Sequence, residues 1–555
     1  MTTRTPLRFS LFASASLALC LSHSGAHAAG PNVDAGTLLR QAEQELKPTK
    51  STKKRTRRKA APTAAVRPTD TTVQVNTFAF KGNTLLSSEA LQTALASFTN
   101  RPLTLAQLKE AADAITNTYR EAGWTVRAYL PQQEINNGTV TLHVVEAVFG
   151  GASLSGAEPQ RMDAQVLIDM AEASLGKGTH LHAAQLDRTL LLLDDLPGVN
   201  VSGNLVQGDN DGEINLDLAA MDDALVNGNA SLDNQGSRAT GPERLSVNLS
   251  INSPARMGDA LAINALKTQG TEYQRLSYSV PVGFDGARVG VHASHLNYQV
   301  IAPEFASLNP FGTATTRGLD VSYPWLRSQL QNINLALSYD DKNFDNTSNG
   351  ALTSYGIKVF NASLSASLID NWEGGGVTNA TASVTSGDKY TDARYKKYNL
   401  SLSRLQSVSD TLSVYVAASA QTTNATLDSS EKMYLGGATG VRAYPASEAG
   451  GSSGSTLTLE LRQRLDNNLT LTGFYDYGRV QVNHDNAITS PANPNDYNLQ
   501  GCGITLAWQA TPSADFKATV AQRMGSNPAA NTTTGMDADG TKKITRIWFS
   551  SSIAY

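Results

Sequence analysis

The sequence predicts two copies of a small α+β module followed by a transmembrane antiparallel β-barrel of about 16 strands. Three observations carry this expectation. An export signal precedes a chain without an apolar helix, a segment order recurs after about 75 residues, and the C-terminal section consists of short alternating strands.

Residues 1–28 read as a secretory signal. Arg4 and Arg8 precede the apolar run from Leu11 to Leu21, and Ala26-His27-Ala28 supplies small residues for cleavage, so the mature chain is expected to begin at Ala29. Cys20 follows Leu19 rather than a small residue, which argues against a lipoprotein signal. No later stretch approaches the ~18 apolar residues of a spanning helix, leaving a barrel as the one way across a bilayer. The mature chain keeps a single cysteine, Cys502, so no internal disulfide is expected. A formal net charge of −4 and an aromatic content of 7% argue against a nucleic-acid partner.

Residues 33–47 predict an amphipathic helix with Asp34 as N-cap and Ala35, Leu38, Leu39, Ala42 and Leu46 on one face. The segment 49–72 is rich in Lys, Arg, Pro and Ala without an apolar period, the composition of a solvated, disordered tether.

From Val73 to Ala147 the order is strand, helix, helix, strand, strand. "VNTFAFKG" is the first strand; "SSEALQTALASF" and "TLAQLKEAADAITNTYREAG" are helices, the second opened by a Thr104–Gln107 capping box and closed by Gly123. "TVRAYLP" and "GTVTLHVVEA" alternate as strands, and residues 148–221 repeat the order.

Residues 222–555 change texture. In "RLSVNLSIN" Leu245, Val247, Leu249 and Ile251 share one face, and in "STLTLELRQRLD" Leu457, Leu459 and Leu461 oppose Thr458, Glu460, Arg462 and Arg464. Soluble sandwiches alternate likewise; the terminal strand "ITRIWFSSSIAY", ending at Tyr555, favours an outer-membrane barrel. Cys502 shares a face with Ile504, Leu506 and Trp508, a place for a lipid-facing small hydrophobe.

Catalytic and metal signatures find no support. Gly450-Gly451-Ser452-Ser453-Gly454 fits G-x-S-x-G but precedes a strand instead of a helix, and His180 and His182 lack further ligands at metal spacing. No Walker motif occurs, so neither enzyme activity nor a cofactor or metal is expected.

Two stretches remain. "GGATGVRAYPASEAGGSSG", residues 436–454, lies between barrel strands and sets Val441, Arg442, Ala443, Tyr444 and Pro445 between glycine-rich flanks. In "FYDYGRV" the alternation places Phe474, Asp476 and Gly478 on one face, which must be the lumenal one because a carboxylate cannot face lipid cheaply. Arg442, on a loop folding inward, is a candidate partner for Asp476; the alternative is a solvated loop and a pore-lining acid.

The repeated module resembles POTRA domains, the periplasmic repeats that precede certain outer-membrane barrels. Val441-Arg442-Ala443-Tyr444 resembles the sixth extracellular loop of TpsB transporters of two-partner secretion, the filamentous haemagglutinin and haemolysin transporter type, with Ala443 replacing the usual glycine. Residues 232–261 resemble that family's first barrel hairpin, and Phe474, Asp476 and Gly478 match its Phe-x-Asp-x-Gly wall motif.

This resemblance implies a Gram-negative outer-membrane protein with two periplasmic POTRA domains. It also implies export of a TpsA-type partner through that partner's N-terminal secretion domain, contact with outer-membrane lipid, and insertion by the barrel assembly machinery through the strand ending at Tyr555. It makes Arg442–Asp476 a loop latch in an extracellular loop at about 430–455, and the helix carrying Asp34, Leu38, Leu39, Ala42 and Leu46 a candidate lumen plug. A barrel-assembly factor of the same superfamily is the alternative; a soluble β-rich adhesin would need neither the module pair nor the aromatic terminal strand.

Overall fold

The computed structural model describes residues 33–46, 72–135, 137–303, 308–390, 393–485, 494–531 and 534–555. The expected signal, and all of the expected tether except Thr72, lie outside these residues.

In the first module strand Thr139–Glu146 is central, parallel to Thr77–Lys81 and antiparallel to Val126–Tyr129. Helices Ser88–Ala94 and Leu105–Glu121 close one face of this sheet, burying Phe78, Leu91, Leu108, Ile115, Tyr119 and Leu142. The long helix starts at the predicted capping box: the Gln107 backbone N–H donates to the Thr104 hydroxyl, and the Thr104 N–H donates to Gln107 Oε1 at 2.9 Å. One expectation is corrected. "VNTFAFKG" is not a single strand but breaks at Asn76, and Thr72–Val75 pairs instead with Arg101–Thr104. The Asn76 N–H is taken by the Gly138 carbonyl at 2.8 Å, a non-local bond that alternation along the chain cannot reveal.

The second module repeats the topology, with Glu213–Asp222 between Val148–Leu154 and Val199–Gln207 and helices Ala164–Leu175 and Ala183–Asp194 alongside. The modules are stitched by main-chain bonds from Thr125 N–H to the Leu181 carbonyl and from Leu181 N–H to the Ala147 carbonyl. His182 caps the last helix of the module, accepting from Ala184 N–H at Nδ1, and sets its ring edge-on to Trp124.

Sixteen antiparallel strands, from Val226–Asp233 to Thr545–Ala554, form the closed barrel, the last strand pairing with the first. Every connection is antiparallel because the chain meanders, and closure leaves no sheet edge in the membrane. Large apolar side chains face outward: Val291, Leu319 and Ile504 are at least half exposed, as only a lipid-solvated surface tolerates in such number. Ile504, Leu506 and Trp508 share that outer face, with Cys502 in the same alternation. Between the strands ending at Thr423 and starting at Ser453 runs the longest connection that concerns function, residues 424–452, which begins earlier than the expected 430.

Helix α1 (Ala35–Glu45) lies inside the barrel. Its Ala35, Leu38, Leu39, Ala42 and following Leu46 are buried against inward-facing Leu266, Tyr273, Leu296, Tyr298, Phe344 and Ile357. The second module meets the periplasmic turns through Arg327–Asp195 at 2.6 Å and Arg188–Asp285 at 2.9 Å.

Candidate functional site

Loop 424–452 descends into the lumen. A short hairpin, Met433–Tyr434 against Gly450–Gly451, forms its neck, and beyond it Leu435, Val441, Ala443, Tyr444 and Ala449 are buried with wall residues Phe474, Val480, Leu499 and Ala521. The sharp turns use left-handed backbone at Gly437 (φ 112°) but also at Ser447 (63°) and Ala449 (57°). Ala443 is not among the positive-φ residues, so an alanine fits there without backbone strain. Room for its methyl comes from Gly501, where a Cβ would stand 2.5 Å away. Gly478 clears the wall likewise, since a Cβ there would meet Leu435 and Val441 at 3.0 and 3.1 Å.

The tip of the loop meets the wall at Asp476. Arg442 Nε donates to Asp476 Oδ2 at 2.8 Å and Nη2 to Oδ1 at 2.7 Å, a bidentate pair, while the Arg442 backbone N–H donates to Oδ2 at 3.1 Å. The third guanidinium arm, Nη1, donates to Glu460 Oε1 at 2.8 Å, and Glu460 in turn accepts from Arg462 at 2.7 Å. The guanidinium carbon stands 3.5 Å from the centroid of the Phe474 ring, and Thr458 donates to Asp476 Oδ1 at 3.2 Å. Arg442 and Asp476 are 6% and 1% exposed, so the charges are withdrawn from water and must satisfy each other; two cations face two carboxylates here. Tyr444 is fully buried with Arg523 over its ring at 4.6 Å, and Pro445 is buried beside it.

All eight predicted loop and wall residues therefore meet at one place. Three participants escaped the sequence reading: Glu460, Gly501 and Trp548, whose indole N–H donates to the Arg442 carbonyl at 2.7 Å. A signal existed for Glu460, because alternation in "STLTLELRQRLD" puts it on a polar face that has to be lumenal. For Trp548 none existed.

The other end of the loop grips α1. Asp34 caps the helix by accepting from Thr37 N–H at 2.8 Å and accepts the Ser429 hydroxyl at 2.8 Å; the Thr37 hydroxyl meets the Tyr434 hydroxyl at 2.9 Å, and Gln41 donates to Ser447 at 2.5 Å. A side chain at Gly36 would strike Ser429 and Ser430, so this helix position must be glycine for the two to approach. Glu431, 3% exposed, accepts Lys397 at 2.5 Å and faces Lys342 at 3.4 Å, while Lys342 also reaches Glu43 of α1. Glu45 pairs with Arg244, itself held by Asp233 at 3.0 Å.

Ser452 of the glycine-serine tract donates to the Val482 carbonyl and accepts from Leu427 N–H, a structural role. Among the described residues no three His, Cys, Asp or Glu side chains are grouped to hold a metal ion.

Comparison with known proteins agrees with this architecture. The model of the haemolysin secretion/activation protein family ShlB/FhaC/HecB matches residues 212–506, and the model of the ShlB-type POTRA domain matches residues 73–147. The chain is similar to the heme/hemopexin transporter protein HuxB of Haemophilus influenzae, 25% identical over 471 residues that cover 80% of this chain and 82% of that one. It is also similar to the outer membrane transporter CdiB of Dickeya dadantii, 22% identical over 69% of this chain and 71% of that one. The solved structure of CdiB from Escherichia coli superposes with a TM-score of 0.70 at 19% identity, covering 94% of this chain and 98% of that one. With the family model spanning more than half of its length, the chain belongs to the ShlB/FhaC/HecB family, the outer-membrane barrel transporters with periplasmic POTRA domains that serve two-partner secretion.

Proposed function

We propose that this transporter exports one TpsA-type partner and that loop 424–452 with α1 holds the lumen closed until the partner arrives. The observation that supports this most directly is the buried bidentate Arg442–Asp476 pair, which keeps a 29-residue extracellular connection inside the barrel lumen. The POTRA domains, 73–147 and 148–221, capture the partner's unfolded N-terminal secretion domain by adding a strand to a sheet edge or seating it in an apolar groove. α1 serves as the plug, carried by Asp34, Leu38, Leu39, Ala42 and Leu46, and the basic segment 49–72 gives it the slack to withdraw. Folding of the partner outside biases the movement without nucleotide. The strand ending at Tyr555 presents the barrel to the assembly machinery, and the apolar outer band meets outer-membrane lipid.

The experiment is a charge swap read by secretion. Arg442→Asp and Asp476→Arg alone each leave a buried charge unpaired, a loss of about 3–5 kcal/mol, and should abolish export. The swapped pair must include Glu460→Gln, because Glu460 would otherwise face the new carboxylate at position 442. Recovery of export in the triple variant supports the latch; no recovery, with the barrel assembled, rejects it. Deletion of the chain that depleted other outer-membrane barrels while leaving every secreted protein unchanged would overturn export in favour of barrel assembly.

A further inference from the structure

Closing strand Thr545–Ala554 is held unequally on its two edges. Against the preceding strand, Ala514–Arg523, its register runs from Thr545 to Ile553. Against the first strand it runs only from Ser550 to Ala554, because the first strand ends at Asp233. The upper half of the seam, residues 545–549, thus lacks a full strand partner on that side.

Two devices replace the missing ladder. On the seam itself Asn234 follows the last paired residue. Its backbone N–H donates to the Phe549 carbonyl at 3.2 Å, its side-chain Oδ1 accepts from Phe549 N–H at 2.7 Å, and its Nδ2 donates to the Ile547 carbonyl at 3.1 Å. The side-chain amide thereby stands in for a peptide group of the absent strand. From the lumen, Trp548 donates to the Arg442 carbonyl at 2.7 Å, and Arg546 donates to Asp539 at 2.8 Å and Asp537 at 3.0 Å. The strand is consequently braced from inside at two places, at Trp548 by the tip of the latched loop and at Arg546 by Asp537 and Asp539 of its own preceding connection, and both indole and guanidinium are buried.

We propose that Trp548 is a positioning residue that couples loop seating to barrel closure: the latched loop is a strut for the upper seam, Asn234 is the seam's own fastener, and unlatching Arg442 weakens the seam between Asp233 and Thr545. This rests on the latch reading, since a loop that is not held by Asp476 cannot brace anything. The Trp548 and Asn234 hydrogen bonds each have a neutral donor and acceptor, so removing one should raise the local opening equilibrium by about two- to tenfold.

Amide hydrogen exchange on the full chain in detergent micelles tests it. Trp548→Phe deletes the N–H while keeping an aromatic ring, and should speed exchange at residues 546–549 by about two- to tenfold while leaving 551–554 at wild-type rates. Asn234→Ala should do the same, more strongly at Phe549. Asp476→Asn should release both loop residues 440–446 and the upper seam. If Asp476→Asn frees the loop but residues 546–549 stay protected, the coupling is wrong and the latch survives. If Asp476→Asn leaves the loop protected, the latch itself fails. Wild-type exchange at 546–549 in Trp548→Phe, with heat-modifiable mobility showing a folded barrel, overturns the role given to the indole.

Discussion

Strand Leu469–Gln481 carries two bidentate Arg–Asp pairs, one on each face. On the lumenal face Asp476 holds Arg442 at 2.7 and 2.8 Å; on the outer face Arg479 holds Asp496 at 2.9 and 3.0 Å. The bond geometry is almost the same, but the surroundings are not. Arg442 and Asp476 are shut away from water, whereas the side chains of Arg479 and Asp496 are 61% and 50% exposed. At the extracellular end of the strand, where Arg479 lies two residues before Gln481 and Asp496 opens the next strand, each outer charge keeps its solvation whether or not the pair forms, so the pair decides nothing. In the lumen water is excluded and the carboxylates that Arg442 meets, Asp476 and Glu460, both stand on the wall, so the pairing decides where the loop goes. Burial, more than geometry, separates a structural switch from decoration.

A second buried carboxylate extends the contrast from the loop tip to its base. Glu431 sits between Lys397 and Lys342, and Lys342 in turn touches Glu43 of α1. If burial sets the value of a charge pair, Glu431→Gln strands Lys397 in the interior and should cost about 3–5 kcal/mol of local stability, concentrated at the contact between the loop base and α1. Planar-bilayer recordings should show longer and more frequent open intervals than in the wild type. Unchanged gating would mean that α1 is held by its apolar face alone.

A smaller effect is expected where a buried carboxylate has no cation partner among the described residues. Glu146, at the end of the first module's central strand, accepts Thr84 N–H at 2.7 Å, Leu85 N–H at 2.8 Å and the Tyr119 hydroxyl at 2.9 Å, as well as the Thr84 hydroxyl. Burial pushes its pKa up, but the backbone bond from Leu85 and the Thr84 donors outweigh it and hold the carboxyl below its ordinary value. A depressed carboxylate contributes stability above the unfolded value of about 4.3, and the contribution vanishes as pH falls through the folded value. Glu146→Gln should therefore lower the unfolding free energy of this module by about 1–3 kcal/mol at neutral pH and flatten its acid transition. Exchange or limited proteolysis of residues 83–86 between pH 7 and pH 3 checks both; a variant with the wild-type acid transition would show that another carboxylate carries it.

The legible parts of this molecule are those set by period and by local bonds. Alternation placed Asp476 in the lumen and Ile504 in the lipid face, the Thr104–Gln107 spacing placed a helix start, and Asp34 was readable as a cap. What depended on register between distant strands was not readable. Glu460 stands opposite Phe474 across a strand pair, and Gly501 opposite Asp476 across the next, so their roles exist only once the barrel has closed. The helical face of α1 announced burial without naming the surface; it seats in the lumen, where the wall offers Tyr273, Leu296, Tyr298 and Phe344. Nor do glycines mark every turn of the loop, since Ser447 and Ala449 adopt left-handed backbone that sequence reasoning assigns to glycine.

Removing the exposed pair should change almost nothing. Arg479→Ala removes a charge-assisted bidentate pair only three residues from Asp476, on the same strand and in the same register with Asn498 and Asp496 beyond it. Both partners are exposed, and the pair is screened at physiological salt. Secretion, thermal mobility shift and exchange of loop residues 440–446 should all match the wild type, at low as well as at high ionic strength. A loss of export from Arg479→Ala comparable to that from Arg442→Asp would mean that the outer face of this strand binds something during transport, and that burial is not what distinguishes the two pairs.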